Sequence, residues 1–250
     1  MKASRISLTS VVAATLTLCC STLCPAQSAP ATPARNSVAI FHIKPDMVTD
    51  WTDLVKNEVL PAYKKAGVPT FTTYQTVFGN SNEYVGVVPI DKYAVYDGPN
   101  PLVQTLGATA AARLATKLRR CEDSVQIFIG NPLPALSNPP AGEMPAYGVF
   151  TRIRVADGKM QEYQDLMKAE ILPIYKKANA PFTVTRRSLG ANGNDLTTVV
   201  WLSKAADLDA GPLTVRTLGQ AGYAKYLAKA GSMATLVEQV VRHRMPELSY

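Results

Sequence analysis

The apolar and polar positions from Val38 onwards follow first the period of a strand and then the period of a helix. Residues 38–43 alternate between two faces, which is typical of a β-strand. Residues 46–59 place apolar side chains three and four positions apart, which predicts an amphipathic helix. Pro61 follows, and because proline lacks the backbone N–H that a helix interior requires, we expect the helix to kink or restart there. Gly67 favours the end of this helix.

Two alternating segments and a second helical period complete the unit. A Gly-Asn-Ser-Asn stretch between the alternating segments has the composition of a hairpin turn. The unit therefore has the order strand, helix, strand, strand, helix, strand. The elements predicted after the first helix are a strand over 70–78, a strand over 84–90, a helix over 102–118 and a strand over 124–129.

The whole pattern occurs twice along the chain. The stretch Glu58–Ala66, with the sequence EVLPAYKKA, recurs at Glu170–Ala178 as EILPIYKKA, so the two copies are 112 positions apart. We expect this register to hold without a gap from about Val38 to Ser137. Self-similarity at a fixed spacing indicates that one ancestral fold occurs in tandem.

The order βαββαβ predicts a ferredoxin-like arrangement, an antiparallel sheet with both helices on one face. The other face of each sheet would be bare, and two such sheets bury it when they pack face to face or curl into one barrel. We therefore predict an α+β monomer whose two repeats form an intramolecular, pseudo-dimeric α/β barrel. The expected boundaries are a first repeat over 37–130, a proline-rich linker over 131–146 and a second repeat over 147–250.

The N-terminal residues have a different composition. A basic start precedes an uncharged run of apolar and small residues that ends at Leu23, and small residues favourable for cleavage follow at 24–26. This is typical of a secretory signal peptide over 1–26, and a retained membrane anchor is the alternative. Residues 27–36 are rich in Ala, Pro, Ser and Thr, which predicts a flexible tether. We expect an exported protein, periplasmic or secreted, without a stable membrane span after cleavage.

Cysteine usage and charge exclude several classes of function. Three of the four cysteines fall in the predicted signal peptide, so the mature chain keeps Cys121 alone and has no intramolecular disulfide. Cys121 is either a buried small hydrophobe or an exposed thiol. The formal net charge is +7, but the basic residues form at most short pairs such as Arg119-Arg120, which does not favour nucleic acid as a partner. The excess of basic residues favours a weak attraction to anionic surfaces or ligands.

Strand alternation places the most informative side chains on one face of the first strand of each copy. This face carries Ile40 and His42 in the first copy and Arg152 and Arg154 in the second. Because the opposite face is the more apolar one, we expect it to face the helices and the candidates to point between the sheets. Arginine forks bind carboxylates, and neutral histidine accepts protons. The alternative is that these arginines lie near strand ends and reach water or pair with Glu238.

These positions, together with nearby aromatic and basic residues, form the predicted ligand site. We expect the ligand to be small and anionic or aromatic, and we assign His42 as the candidate catalytic base. The candidate ligand-binding residues are Tyr74, Arg152, Arg154, Arg187 and Trp201.

No other motif gives a catalytic assignment. The chain has two histidines, His42 and His243, and it contains neither the H-E-x-x-H motif of metalloproteases nor the G-x-S-x-G elbow of serine hydrolases. A P-loop and a dinucleotide-binding glycine motif are also absent from the sequence. We therefore predict no metal site and no cofactor.

The βαββαβ repeat of about a hundred residues, with its Leu-Pro-x-Tyr-Lys-Lys-Ala helix end, resembles the dimeric α/β-barrel superfamily. Within that superfamily it is similar to the NIPSNAP and antibiotic-biosynthesis-monooxygenase groups. The resemblance covers nearly the whole mature chain and implies a pocket between the sheet and the helices or within the barrel. Members include cofactor-free monooxygenases, degradation enzymes and haem proteins, so the resemblance leaves the chemistry open.

Two classes of function follow from these observations. The first is an exported small-molecule-binding barrel, which as an enzyme would resemble a cofactor-free monooxygenase. A basic pocket would then stabilise a substrate anion and His42 would accept its proton. The second is a non-catalytic structural or protein-interaction module of the cell envelope, whose barrel would be filled by side chains.

Overall fold

The computed structural model describes residues 35–250, so the predicted signal peptide and most of the predicted tether lie outside the described residues. Both copies have the predicted order of strands and helices. The first copy contains strands β1 (Arg35–Ile43), β2 (Thr72–Phe78), β3 (Glu83–Ile90) and β4 (Glu122–Pro132) and helices α1 (Val48–Leu54), α2 (Leu60–Lys65), α3 (Pro101–Leu106) and α4 (Ala108–Cys121). The second copy contains strands β5 (Tyr147–Val155), β6 (Phe182–Arg187), β7 (Asp195–Leu202) and β8 (Ala234–Arg244) and helices α5 (Met160–Leu166), α6 (Leu172–Lys177) and α7 (Leu213–Gly231).

The eight strands close one antiparallel barrel in the order β1, β3, β2, β8, β5, β7, β6, β4. Each copy contributes half of the wall in the ferredoxin-like order, β4-β1-β3-β2 and β8-β5-β7-β6. The halves join where β2 pairs with β8 and where β4 pairs with β6. The pseudo-dimeric α/β barrel is therefore confirmed, and its closure leaves neither sheet with an unpaired edge.

The first helical segment of each copy contains a π-helical turn just before its proline. These turns are Val55–Val59 and Met167–Ile171, followed by Pro61 and Pro173. Because proline provides no N–H, the regular ladder cannot continue through it, and the chain accommodates one extra residue per turn instead. The restart expected at the proline thus takes the form of a π-turn. None of the helices within 35–250 is long and apolar enough to cross a membrane.

Some predicted element boundaries were wrong. The helix expected over 102–118 is two helices, because Gly107 has a left-handed φ of 78° that separates α3 from α4. Gly219 interrupts α7 in the same way, with φ 68°. Arg35 and Asn36, expected in the tether, belong to β1 and pair with the end of β3.

The two copies do not keep a single register, which corrects the ungapped alignment. Thr76 pairs with Arg242 between β2 and β8, and Arg187 pairs with Gly130 between β6 and β4. Gly130 and Arg242 are 112 positions apart, whereas Thr76 and Arg187 are 111 apart. Strands β2 and β6 are therefore offset by one residue, and compensating length differences on either side restore the register. Because side chains alternate along a strand, this one-residue shift changes which residues face the interior.

Apolar residues pack in three clusters. Two of them join strand and helix residues on the outside of the barrel, around Trp51 in the first copy and Tyr163 in the second. Cys121 is buried in the first of these, so its thiol is the small hydrophobe of the two alternatives, and burial raises its pKa. The third cluster fills the middle of the barrel and consists of Ile40, Tyr74, Val85, Phe128, Val199 and Trp201, with Phe150 packed against it.

Candidate functional site

Polar side chains inside the barrel form two groups, each built around the carboxylate that begins the third strand of one copy. Glu83 begins β3 and Asp195 begins β7, and both are buried. The Glu83 group consists of His42, Thr76, Glu83 and Arg242. The Asp195 group consists of Arg152, Arg154, Arg187, Asp195, Thr197 and Glu238.

The Glu83 group is a closed ion pair. Glu83 Oε1 accepts hydrogen bonds from Arg242 Nη2 at 2.6 Å and from Thr76 Oγ1 at 2.8 Å. The Arg242 guanidinium also lies over the Phe150 ring, 4.8 Å from its centroid. Burial alone would raise the pKa of Glu83, but the Arg242 charge and the two hydrogen bonds outweigh it and hold that pKa below its ordinary value. His42 lies at the edge of the group, with Nε2 3.9 Å from Glu83 Oε2.

In the Asp195 group the carboxylate is held by a partly exposed arginine. Arg154 Nε and Nη2 donate to the two Asp195 oxygens at 2.7 and 3.1 Å, which is the bidentate geometry typical of strong pairs. Arg152 lies farther away, with Nη1 3.9 Å from Asp195 Oδ2 and Nε 3.8 Å from Glu238 Oε2. These separations are too long for hydrogen bonds, and the buried Arg152 Nε has no hydrogen-bond partner among residues 35–250.

Arg187 is the deeply buried cation of the Asp195 group. The residue is 4% exposed, and no carboxylate oxygen of the described chain lies within 4.0 Å of its guanidinium. Its Nε donates to Thr197 Oγ1 at 3.0 Å, and its guanidinium lies 4.4 Å from the centroid of the Phe128 ring. Burial and, to a smaller extent, the positive charge of Arg152 lower the pKa of Arg187 to about 10. The guanidinium remains charged at neutral pH without a close counter-ion in this part of the chain.

The structure separates the predicted catalytic base from the predicted ligand-binding arginines. His42 belongs to the Glu83 group, whereas Arg187 pairs along β6 with Gly130, which in turn pairs with Asn36 of β1. Asn36 precedes His42 by six residues, which corresponds to about 20 Å along a strand. His42 and Arg187 are therefore attached at different levels of the barrel wall.

The two predicted aromatic residues lie between these groups, in the middle of the barrel. Tyr74 is buried, and burial raises the pKa of its hydroxyl to about 12. Trp201 packs in the same cluster and donates its indole N–H to Thr183 Oγ1 at 2.9 Å. Both residues are therefore part of the apolar filling of the barrel.

Sequence reasoning missed Glu83, Asp195 and Arg242 and considered Glu238 only as a partner for an arginine. A repeated signal marks the two carboxylates, because each follows an Asn-x-Asn turn at the same place in its copy. In each turn the first Asn side chain accepts a hydrogen bond from the backbone N–H of the second, at 3.1 Å from Asn82 and 2.8 Å from Asn194. An acidic residue directly after such a turn in both copies is the sequence signal that could have indicated the two groups.

Some members of the superfamily that this chain resembles contain haem, but the two histidines do not offer a site for it. A haem iron is commonly held by histidine, but the His42 ring lies against Asn80 at 3.4 Å and near Glu83. The His243 ring lies 4.6 Å from the ring of Tyr147, and the two layers between sheet and helices are filled by apolar clusters. Among residues 35–250, no group of three or more His, Cys, Asp or Glu residues is arranged to hold a metal ion. The two histidines therefore do not fit a haem.

The surface also contains two open concavities that are remote from these groups. One, of about 740 Å³, follows the outer face of α4 between Ala108 and Arg120. The other, of about 420 Å³, lies between α1 and α4. Neither is lined by a residue of the predicted ligand site.

No model of a protein family matches the chain, and no curated protein matches it in sequence. Solved structures match its fold. An anthrone oxidase-like protein has a TM-score of 0.56 at 9% identity, over 85% of this chain and 92% of that chain. A mutant chlorite dismutase from Candidatus Nitrospira defluvii has a TM-score of 0.54 at 12% identity, over 87% and 93%. A proposed monooxygenase from Lactobacillus acidophilus has a TM-score of 0.52 at 8% identity, over 85% and 93%.

These similarities extend over most of both chains in each comparison, but identities of this size establish the fold alone. The closed antiparallel barrel, its ferredoxin-like halves and the helices outside it agree with them. The chain therefore has the closed α/β-barrel fold of these solved structures, formed within one molecule by two tandem ferredoxin-like repeats.

Proposed function

We propose that this protein is an exported small-molecule-binding barrel that holds a small anion against Arg187. The observation that carries the proposal is the buried Arg187 guanidinium without a carboxylate of the described chain within 4.0 Å. An unpaired buried charge costs several kcal/mol. An anion that pairs with Arg187 offsets this cost, so binding of the anion also stabilises the fold.

Charge and access both favour this end of the barrel. The Asp195 group contains three guanidinium groups but two carboxylates, so it has one positive charge in excess. The side chains of Arg152 and Glu238 are 27% and 33% exposed, and both charges act on the buried Arg187. Their contact is loose, and a small anion that displaces it reaches Arg187 from solvent. The buried Arg152 Nε supplies a second donor along this route.

The test is thermal unfolding of the mature protein, with sodium benzoate or phosphate titrated against sodium chloride at constant ionic strength. We expect at least one of the two anions to raise the Tm of the wild type in a saturable manner and to leave the Tm of Arg187→Met unchanged. Arg216→Met is the matched control, because it removes an exposed arginine of α7 outside both polar groups, and it should respond like the wild type. Equal responses of wild type and Arg187→Met, or no response of either, would overturn the proposal.

Export is supported by the basic start, the uncharged apolar run and the small residues at 24–26. It is tested by the mass and the cellular fraction of the protein purified from its own host. A chain cleaved near residue 26 and recovered outside the cytoplasm is the expected result. A full-length chain in the cytoplasm would contradict export without affecting the assignment of Arg187.

A cofactor-free oxidative enzyme is a second candidate, favoured by fold neighbours described as a proposed monooxygenase and an anthrone oxidase-like protein. In this candidate the Asp195 group stabilises a substrate anion. His42 serves as the base only for a substrate that extends to the Glu83 group, because of its distance from Arg187. Oxygen uptake with phenolic substrates tests this version, and loss of uptake in His42→Ala with binding retained would support it.

The non-catalytic module is the remaining alternative. It is favoured by the filled middle of the barrel, where the apolar cluster around Tyr74 and Trp201 occupies the interior. An anion response that depends on Arg187, as tested above, separates a binding protein from a purely structural one.

A further inference from the structure

We infer that the anion is a planar carboxylate carrying one negative charge, gripped end-on by the two Nη atoms of Arg187. This inference rests on the proposed function and specifies the chemical class of its ligand. It follows from which edges of the guanidinium are already used and from the charge of the surrounding groups.

The Arg187 guanidinium presents one free edge. Its Nε donates to Thr197 Oγ1, and one face is covered by the Phe128 ring. Neither Nη atom makes a hydrogen bond to a residue in 35–250. The two N–H groups on that edge are parallel and match the spacing of the two oxygens of a carboxylate, which is the geometry of a bidentate pair.

The charges nearby favour a single negative charge on the ligand. The Asp195 group has one positive charge in excess, and a monoanion neutralises it. A dianion such as a phosphonate would in addition be repelled by the carboxylates of Asp195 and Glu238, the acidic neighbours that act on Arg187. The site therefore discriminates by charge.

Arg152 completes the grip from the solvent side. Its Nε is buried, lacks a hydrogen-bond partner in the described chain and lies 3.8 Å from Glu238. An incoming carboxylate that displaces Glu238 would accept from this nitrogen as well. Arg152 is thus a secondary donor, and its loss should weaken binding less than the loss of the Arg187 fork.

The experiment is isothermal titration of the mature protein with benzoate, phenylphosphonate and benzamide, which share a phenyl group and differ in the polar group. We expect benzoate to bind most tightly and the neutral benzamide to show no binding. Arg187→Lys keeps the charge but lacks the fork, and it should lose affinity for benzoate by about 10- to 100-fold. Arg152→Met should lose about 3- to 10-fold.

Each outcome bears on a different claim. Benzoate binding that is weakened in Arg187→Lys as expected supports the inference. Tighter binding of phenylphosphonate, or equal benzoate affinity of Arg187→Lys and wild type, overturns the carboxylate inference while the proposed anion site stands. Absence of any binding that depends on Arg187 overturns both. Far-UV circular dichroism and the unfolding midpoint of each variant identify a folding defect, and Arg216→Met, at an exposed arginine of α7 outside both polar groups, serves as the variant with unchanged binding.

Discussion

The Glu83 and Asp195 groups occupy equivalent places in two copies of one fold, yet only the first closes on itself. In the first, Glu83 pairs with the buried Arg242. In the second, the position equivalent to His42 is Arg154, which donates hydrogen bonds to both carboxylate oxygens of Asp195. The carboxylate is thereby drawn toward the exposed arginine, and Arg187 is left without it.

The buried arginine also comes from a different strand in the two groups. Arg242 extends from β8, and its equivalent in the first copy is Gly130. Arg187 extends from β6, at the place that Thr76 occupies on β2. A duplicated barrel can thus keep a neutralised pair at one end for stability while the other end diverges into a ligand site.

The largest expected effect is the loss of stability when the Glu83 pair is broken. Arg242→Met leaves the Glu83 carboxylate buried without its counter-ion, and such a change costs about 3–5 kcal/mol. The free energy of unfolding in urea at neutral pH measures it. The double variant Glu83→Gln/Arg242→Met removes both charges and should recover much of the loss. A loss below about 1 kcal/mol in the single variant would show that the two groups do not differ as described.

The corresponding change in the Asp195 group should act in the opposite direction. Arg187→Met removes a buried charge without a close counter-ion and keeps an apolar side chain against Phe128. We expect the free energy of unfolding to rise by about 1–2 kcal/mol in a buffer without binding anions. The same urea titration checks this value. Destabilisation as large as that of Arg242→Met would mean that Arg187 is neutralised within the protein.

The sequence predicted the barrel because periodicity and duplication are local signals that survive in every element. It also predicted the inward face of β1 and β5, since alternation separates the two faces and the more apolar one packs against the helices. The arrangement of the site depended on pairing between copies, which no local pattern records. The one-residue offset of β2 and β6 places Arg187 at the position of Thr76, and a search at a constant offset of 112 aligns Arg187 with Gln75 instead.

The residues of the single pocket predicted around His42 are divided between the two groups for a related reason. Alternation placed His42 and Arg154 on the same face of equivalent strands, but it gave no information about distance along the barrel. The duplication puts equivalent residues in different groups, so His42 lies with Glu83 and Arg154 with Asp195. The closure of the barrel sets this separation. It depends on the pairing of β2 with β8 and of β4 with β6, which the structure shows and the sequence pattern does not.

The pH dependence of stability offers a smaller test of the closed pair. The pKa of Glu83 is lower in the folded protein than in the unfolded chain, so the pair contributes its full stability above the unfolded pKa and loses it as the pH falls through the folded value. We expect the unfolding free energy of the wild type to decrease below about pH 4.5. The unfolding free energy of Glu83→Gln/Arg242→Met should decrease less steeply as the pH falls, with a slope smaller by up to about 1.4 kcal/mol per pH unit. Identical slopes in acid titrations of the two proteins would contradict this assignment.

The smallest and most specific test is to give the Asp195 group the residue of the Glu83 group. Arg154→His removes the bidentate donors that hold Asp195 and leaves histidine at the position equivalent to His42. Stability should change little, because Arg154 is about half exposed and water compensates for its loss. Asp195 would then be free to approach Arg187, and affinity for benzoate should fall by about 3- to 10-fold. Titration calorimetry of the variant measures this. An unchanged affinity would show that Arg154 does not keep the carboxylate away from Arg187, and the difference between the two groups would then lie in the strand that carries the buried arginine.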